Sequence, residues 1–146
     1  MNHPHPHVLA IPYPAQGHVL PLMELALCLV RQGIRVTFVN SEFDHKRVTK
    51  SLSQEDNVPA MMQLVSIPDG LESWEDRNDL SKLTLSVYQV MPANLECLIK
   101  SINQSDSDKI TCIIADETMG WALEIAKKNG KQDGSLLARF SNQLRC

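Results

Sequence analysis

The sequence predicts an α/β protein built on a Rossmann-like, doubly wound parallel sheet. Three observations carry this reading. Four short runs, residues 7–13, 35–40, 61–68 and 110–116, are apolar and rich in β-favouring residues. Helical stretches separate them, with apolar residues at helical spacing in 22–29, 83–102 and 121–126 and a polar one over 41–53. The first run has too few polar positions to leave one face in water, as expected of a strand covered by helices on both sides.

Taken in order, residues 7–13 form the first strand, Pro14-Ala15-Gln16-Gly17 a tight turn, and a helix begins near His18. Pro21 suits a first helical turn, where a missing N–H costs little. Leu22, Leu25, Ala26 and Leu29 repeat at helical spacing and face the sheet. Gly33 stands where a helix stop needs positive φ. Residues 35–40 make the second strand. Residues 41–53 are polar and helical, with His45, Lys46, Arg47 and Lys50 on solvated faces, and residues 54–59 break the pattern. Residues 61–68 are the third strand, and helical connections of this length imply parallel crossovers.

Pro68-Asp69-Gly70 signals a turn into an acidic surface loop. Trp74 in that loop either lines a ligand groove or caps the core. Residues 80–102 have a long helical pattern, with Leu83, Val87, Val90, Met91, Leu95, Leu98 and Ile102 on one face, and Pro92 should bend or split it. A polar loop over residues 103–109 leads to the fourth strand, residues 110–116, which ends in Asp116. A helix over residues 118–129 follows, and Gly130 stops it. The pattern then fails. The tail, whose apolar cluster is Leu136, Leu137 and Phe140, reads as a short helix or as disorder rather than as a fifth strand. Residues 1–130 are therefore read as one domain and residues 131–146 as an atypical tail.

A chain of 146 residues suits a single domain and hides roughly 70% of its unfolded surface on folding. Its 43% hydrophobic and 21% charged content are globular values. A net charge of −3 leaves no basic footprint, so nucleic acid is not an expected partner. Cys28, Cys97, Cys112 and Cys146 form no C-x-x-C pair, which argues against a disulfide framework or zinc site. The first three fall in apolar runs and read as small core residues. The opening MNHPHPH lacks the basic-then-apolar order of a secretory leader. The apolar run that follows contains Glu24 and is too short to span a bilayer. A cytoplasmic protein without a membrane span is expected. His3, His5 and His7 alternate with prolines and read as a mobile, extended terminus leading into the first strand, with metal ligation the rival reading.

Open α/β sheets bind ligands at the carboxyl ends of their strands, at the point where the strand order reverses. In a doubly wound half, the fourth strand lies on the far side of the first from the second. His18 follows the first strand and Asp116 ends the fourth, so the topology brings both to one crevice. A neutral imidazole there can take a proton from a bound hydroxyl. An aspartate on its other ring nitrogen fixes the tautomer and stabilises the imidazolium. Such general-base help is worth roughly 10²–10⁴ in rate. The rival readings are that His18 only opens its helix and that Asp116 only caps the next one, with Glu117 a competitor in either role. No serine or cysteine elbow accompanies the pair. The turn carries Gly17 but no G-x-G-x-x-G, which disfavours nicotinamide or flavin.

Three segments carry a resemblance. HVLAIPYPAQGHVLPLMELALCLVRQGIRVTFVN, with Pro14-Ala15-Gln16-Gly17-His18 at its centre, resembles the N-terminus of plant UDP-dependent glycosyltransferases of small molecules. ITCIIADETMGWALEIAKKNG resembles a later segment of the same domain, and IPDGLE also fits. The resemblance covers about residues 5–130. It implies the N-terminal, acceptor-binding part of a GT-B fold, in which two Rossmann-like domains face a cleft. It implies that His18 is the general base, that Asp116 pairs with it, and that Gln16, Gly17 and His18 border a small, hydrophobic, hydroxylated acceptor. It further implies inverting transfer of a hexose, glucose foremost, from a UDP-sugar as co-substrate, with no metal and no other cofactor. The family's pattern continues into another strand and a donor-binding domain. Residues 131–146 depart from it, as a frameshift, alternative splice or gene-model error would produce, and a fragment of this kind is expected to be inactive alone. The rival function is a non-catalytic acceptor-binding or interaction module.

Overall fold

Strands and helices alternate along the chain. The structure, a computed structural model, describes residues 5–55, 60–129 and 136–140; of Gln16 and residues 51–55 and 136–140 it describes the backbone. The elements are β1 (His7–Ile11), α1 (Gln16–Arg31), β2 (Arg35–Ser41), α2 (Glu42–Glu55), β3 (Met62–Ile67), α3 (Leu80–Ile102), β4 (Cys112–Asp116), α4 (Gly120–Asn129) and β5 (Leu136–Phe140). A 3₁₀ turn, Glu117–Met119, joins β4 to α4. The strands form one sheet in the order β3-β2-β1-β4-β5, and every neighbouring pair is parallel. The order reverses between β1 and β4, as the doubly wound reading requires.

All five residues of β1 are buried, because helices cover both faces of the sheet. Leu9 and Ile11 face one layer, where they meet Val39, Ile113, Ala115 and the α3 stripe Leu83, Val87, Met91, Leu95. Val8 and Ala10 face the other, with Val36, Phe38 and the α1 residues Leu22, Met23 and Ala26. Each large side chain fully buried in this way contributes about 1.5–3 kcal/mol.

Helical bonding begins earlier than the sequence suggests. The Ala15 carbonyl already accepts from His18 N at 2.9 Å and Val19 N at 3.1 Å, so α1 opens at Gln16. Pro21 thus falls inside the helix, beyond its first turn. Gly33 does end it, at φ +81°. α3 runs unbroken through Pro92, neither split nor shortened. Its buried stripe holds the turns on both sides of the proline against one sheet face. The Asp79 side chain caps its start by accepting from Lys82 N at 3.1 Å.

Three further expectations need correction. The tail supplies a strand after all: β5 pairs with β4 from Cys112↔Leu136 to Asp116↔Phe140. An edge strand needs backbone partners on one side only, so a five-residue run containing a charge suffices. Cys28 and Cys97 are exposed rather than core residues, because the buried stripes of α1 and α3 pass to either side of them. Cys112 is partly buried, and burial pushes its thiol up. His7 belongs to β1, and both of its ring nitrogens are engaged by protein groups. Its ring lies 2% exposed between Thr37 Oγ1 at 2.7 Å and the Asp108 carbonyl at 2.8 Å, and Asp108 also pairs with Arg35. His5 is exposed and His3 lies outside the described residues. Among the described residues no helix is long and apolar enough to cross a membrane.

Candidate active site

After β1 the chain turns through residues 12–15, with Ala15 N donating to the Tyr13 carbonyl at 2.8 Å, and enters α1. His18 is on the first turn of that helix. Ile11 and Ala115 are partners in the β1–β4 register, so Asp116 stands one residue past the paired end of β1. The first turn of α1 brings His18 across this gap, and its Nδ1 lies 2.8 Å from Asp116 Oδ2. The His18 side chain is 35% exposed and that of Asp116 4% exposed. The imidazole therefore reaches the open crevice while the carboxylate behind it is shielded.

Asp116 divides its two oxygens. Oδ2 meets the histidine. Oδ1 accepts from Thr118 N at 3.0 Å and from the Thr118 hydroxyl at 2.8 Å, which starts the 3₁₀ turn. The capping role and the pairing role, alternatives at the level of sequence, thus coexist. Burial alone would raise the Asp116 carboxyl. The Thr118 N–H, the His18 ring and the Thr118 hydroxyl outweigh it together and hold the group below its ordinary value. An ionised carboxylate only accepts, so the bond at His18 Nδ1 requires the ring proton there, and in the neutral ring Nε2 then carries the lone pair. Glu117, the competitor, is exposed and takes no part.

The dyad opens on a cavity of about 480 Å³, lined by Tyr13, Thr84, Val87, Tyr88, Met119 and Trp121 beside His18. Apolar and aromatic walls with a few polar points are the usual make-up of a small-molecule site. Tyr13 closes its floor: its hydroxyl is 2.7 Å from Thr84 Oγ1, and its ring meets that of His18 at a centroid distance of 5.2 Å and an angle of 64°. Sequence reasoning missed these wall residues. The available signal was an aromatic with a polar tip at a strand's carboxyl end, and Thr84 and Tyr88 four apart on one helix face. Of the other residues expected at the acceptor, Gly17 is exposed at the start of α1, and a Cβ there would meet nothing within 4 Å. The Gln16 side chain lies outside the described residues.

A second cavity, about 340 Å³, lies away from the dyad between α2 and the loop after β3, and Phe43, His45, Asp69 and Arg77 help to line it. His45 is half-buried here rather than fully solvated. Arg77 organises this loop. Its guanidinium donates to both Asp69 oxygens, at 3.0 and 3.2 Å, and to the Leu71 carbonyl at 3.3 Å, and sits 4.2 Å from the centre of the Phe43 ring. Trp74, at 80% exposed, is not among the residues lining these two cavities and does not cap the core.

Among known proteins, the chain is 50% identical over 131 residues to UDP-glycosyltransferase 83A1 of Arabidopsis thaliana, covering 86% of this chain and 28% of that protein. It is 40% identical over 131 residues to linamarin synthase 1 of Manihot esculenta, covering 86% and 27%. It is 37% identical over 130 residues to (R)-mandelonitrile beta-glucosyltransferase of Prunus dulcis, again 86% and 27%. The relatives of this chain are plant UDP-glycosyltransferases. The chain spans little more than a quarter of their length. No family model matches it. Two solved structures share its fold. UGT89C1 of Arabidopsis thaliana, complexed with quercetin, superposes with a TM-score of 0.67 at 18% identity over 86% of this chain and 33% of that one. Os79 of O. sativa, complexed with U2F and a trichothecene, superposes at 0.66 and 21% identity over 92% and 28%.

Proposed function

We propose that this chain is the acceptor-binding part of a plant glycosyltransferase that moves a hexose, glucose foremost, from a UDP-sugar to a hydroxyl of a small hydrophobic acceptor. The observation that carries the proposal is the His18–Asp116 bond at the mouth of an apolar cavity. The acceptor hydroxyl lies against His18 Nε2 and gives it its proton. The acceptor oxygen forms a bond to the anomeric carbon of the sugar from the face opposite UDP. The bond from that carbon to UDP breaks, UDP leaves with the electron pair, and configuration inverts. Asp116 stabilises the imidazolium throughout. The step uses no metal. Gln16 and Gly17 flank the acceptor at the start of α1. The mandelonitrile glucosyltransferase among the relatives, and the quercetin and trichothecene held by solved neighbours, support a compact hydroxylated acceptor.

The test is His18→Ala in a version extended to the relatives' full length. Turnover should fall roughly 10²–10⁴-fold with the melting temperature retained. Near-normal turnover would defeat the base assignment, and turnover abolished by chelation would defeat the metal-free step. The second reading is that these 146 residues act as an acceptor-binding module without turnover. It is favoured by a cavity already lined by residues of β1's exit, α3 and α4 in a chain that spans 28% of one relative.

A further inference from the structure

The Asp116 bond fixes one point of the His18 ring. Tied at Cβ and held by one hydrogen bond, the ring can still tilt through coupled changes in χ1 and χ2, and that tilt redirects Nε2 within the cavity. A second contact on the ring removes this freedom. Tyr13 makes one, at 5.2 Å between centroids and 64° between planes, within the range aromatic pairs prefer. Tyr13 is itself 7% exposed, and its hydroxyl is anchored at 2.7 Å to Thr84 Oγ1 across from the turn, on α3. The contacts form a chain from α3 through the phenol to the imidazole. The histidine is thus held from β4 on one side and from α3 on the other.

We propose that Tyr13, anchored by Thr84, is a positioning residue that sets the plane of the His18 imidazole and so the direction of Nε2. This rests on the reading of His18 as the base. Ring orientation decides whether a bound hydroxyl meets the lone pair, and misplacement of reacting groups by about 1 Å can cost 10²-fold. A purely structural hydroxyl pair would only satisfy a buried phenol and would leave the imidazole unaffected.

The experiment follows the His18 ring nitrogens by ¹⁵N-histidine NMR in the intact 146-residue chain. Asp116→Asn serves as the control that must move them. Tyr13→Phe keeps the ring and removes the hydroxyl; Thr84→Val keeps the volume and removes the partner. Each single variant and the double variant should shift the His18 Nε2 signal by the same amount, because all three break one bond and re-aim the ring, while Nδ1 keeps its proton on Asp116. Thr84→Ser, which restores a hydroxyl, should return it. His18 signals unchanged in folded Thr84→Val, with Asp116→Asn responding, would overturn the proposal; so would a shift in Thr84→Val that Thr84→Ser fails to reverse. Neither reading depends on sugar transfer. A failed His18→Ala turnover test would remove the base role while leaving this result in place.

Discussion

At the scale of the residue, Asp116 carries the densest set of obligations. It is nearly fully buried, it holds a histidine, and it starts a helical turn. Its carboxyl lies below its ordinary value. A carboxyl with a depressed folded value binds fewer protons folded than unfolded. It therefore adds stability above its unfolded value of about 3.9, and loses that contribution as pH falls through the lower folded value. Asp116→Asn should accordingly flatten the acid limb of the stability curve. The measurement is the urea midpoint of both proteins from neutral pH down into the acid range, where the gap between them should narrow as pH falls. Parallel curves would mean that the carboxylate is not stabilised by its neighbours. The dyad was legible in the sequence because topology alone sends the ends of the first and fourth strands to one crevice. The division of labour between the two oxygens was not, since it depends on a side-chain rotamer that no spacing encodes.

At the scale of the element, the loop from Asp69 to Asp79 positions the start of α3, and so one wall of the cavity. Two residues give it its shape. Gly70 has φ +90°, and a Cβ there would lie 2.6 Å from Val90 Cγ2 and closer still to Ser86 Oγ. Gly70→Ala combines left-handed strain with overpacking and should cost roughly 2–4 kcal/mol, read as a lowered denaturant midpoint. A cost below about 1 kcal/mol would show that α3 yields easily there. Arg77, with its side chain 12% exposed against Asp69 at 4%, is a largely buried pair. Arg77→Ala strands the aspartate and should cost roughly 3–5 kcal/mol. Arg77→Lys should recover part of it, because an ammonium cannot match the forked contact. Near-UV circular dichroism and unfolding curves would separate local loosening of the loop from a global loss. The loop's turn was readable from Pro68-Asp69-Gly70. Its internal order was not, because one arginine reaching back across eight residues leaves no periodic trace.

At the scale of the whole molecule, residues of this chain line the cavity while the chain spans about 28% of one relative. The 146-residue protein should bind a planar hydroxylated probe such as quercetin measurably by calorimetry, and Tyr88→Ala should weaken that binding roughly five- to tenfold, as loss of an aromatic wall does. UDP-glucose should give no heat and no turnover with this chain. Consumption of UDP-glucose by it would overturn the assignment of donor binding elsewhere. Strands and parallelism followed from hydrophobic runs and crossover lengths, and the sheet order and the dyad from the doubly wound topology those imply. The fifth strand did not, because an edge position relaxes the very burial that makes central strands conspicuous. The histidine that opens β1 was misread for a related reason. Prolines around it resemble a loose terminus, and only the fold reveals that Thr37 and Asp108 converge on its ring. That buried network sits at the opposite end of β1 from His18. Five residues of strand put roughly 15 Å between the two ends, beyond the distance at which substitutions cease to interfere. For an engineer, the strand is a divided instrument: heat tolerance can be selected at its amino end and, on the proposed function, acceptor preference at its carboxyl end, in separate libraries whose best members should combine additively.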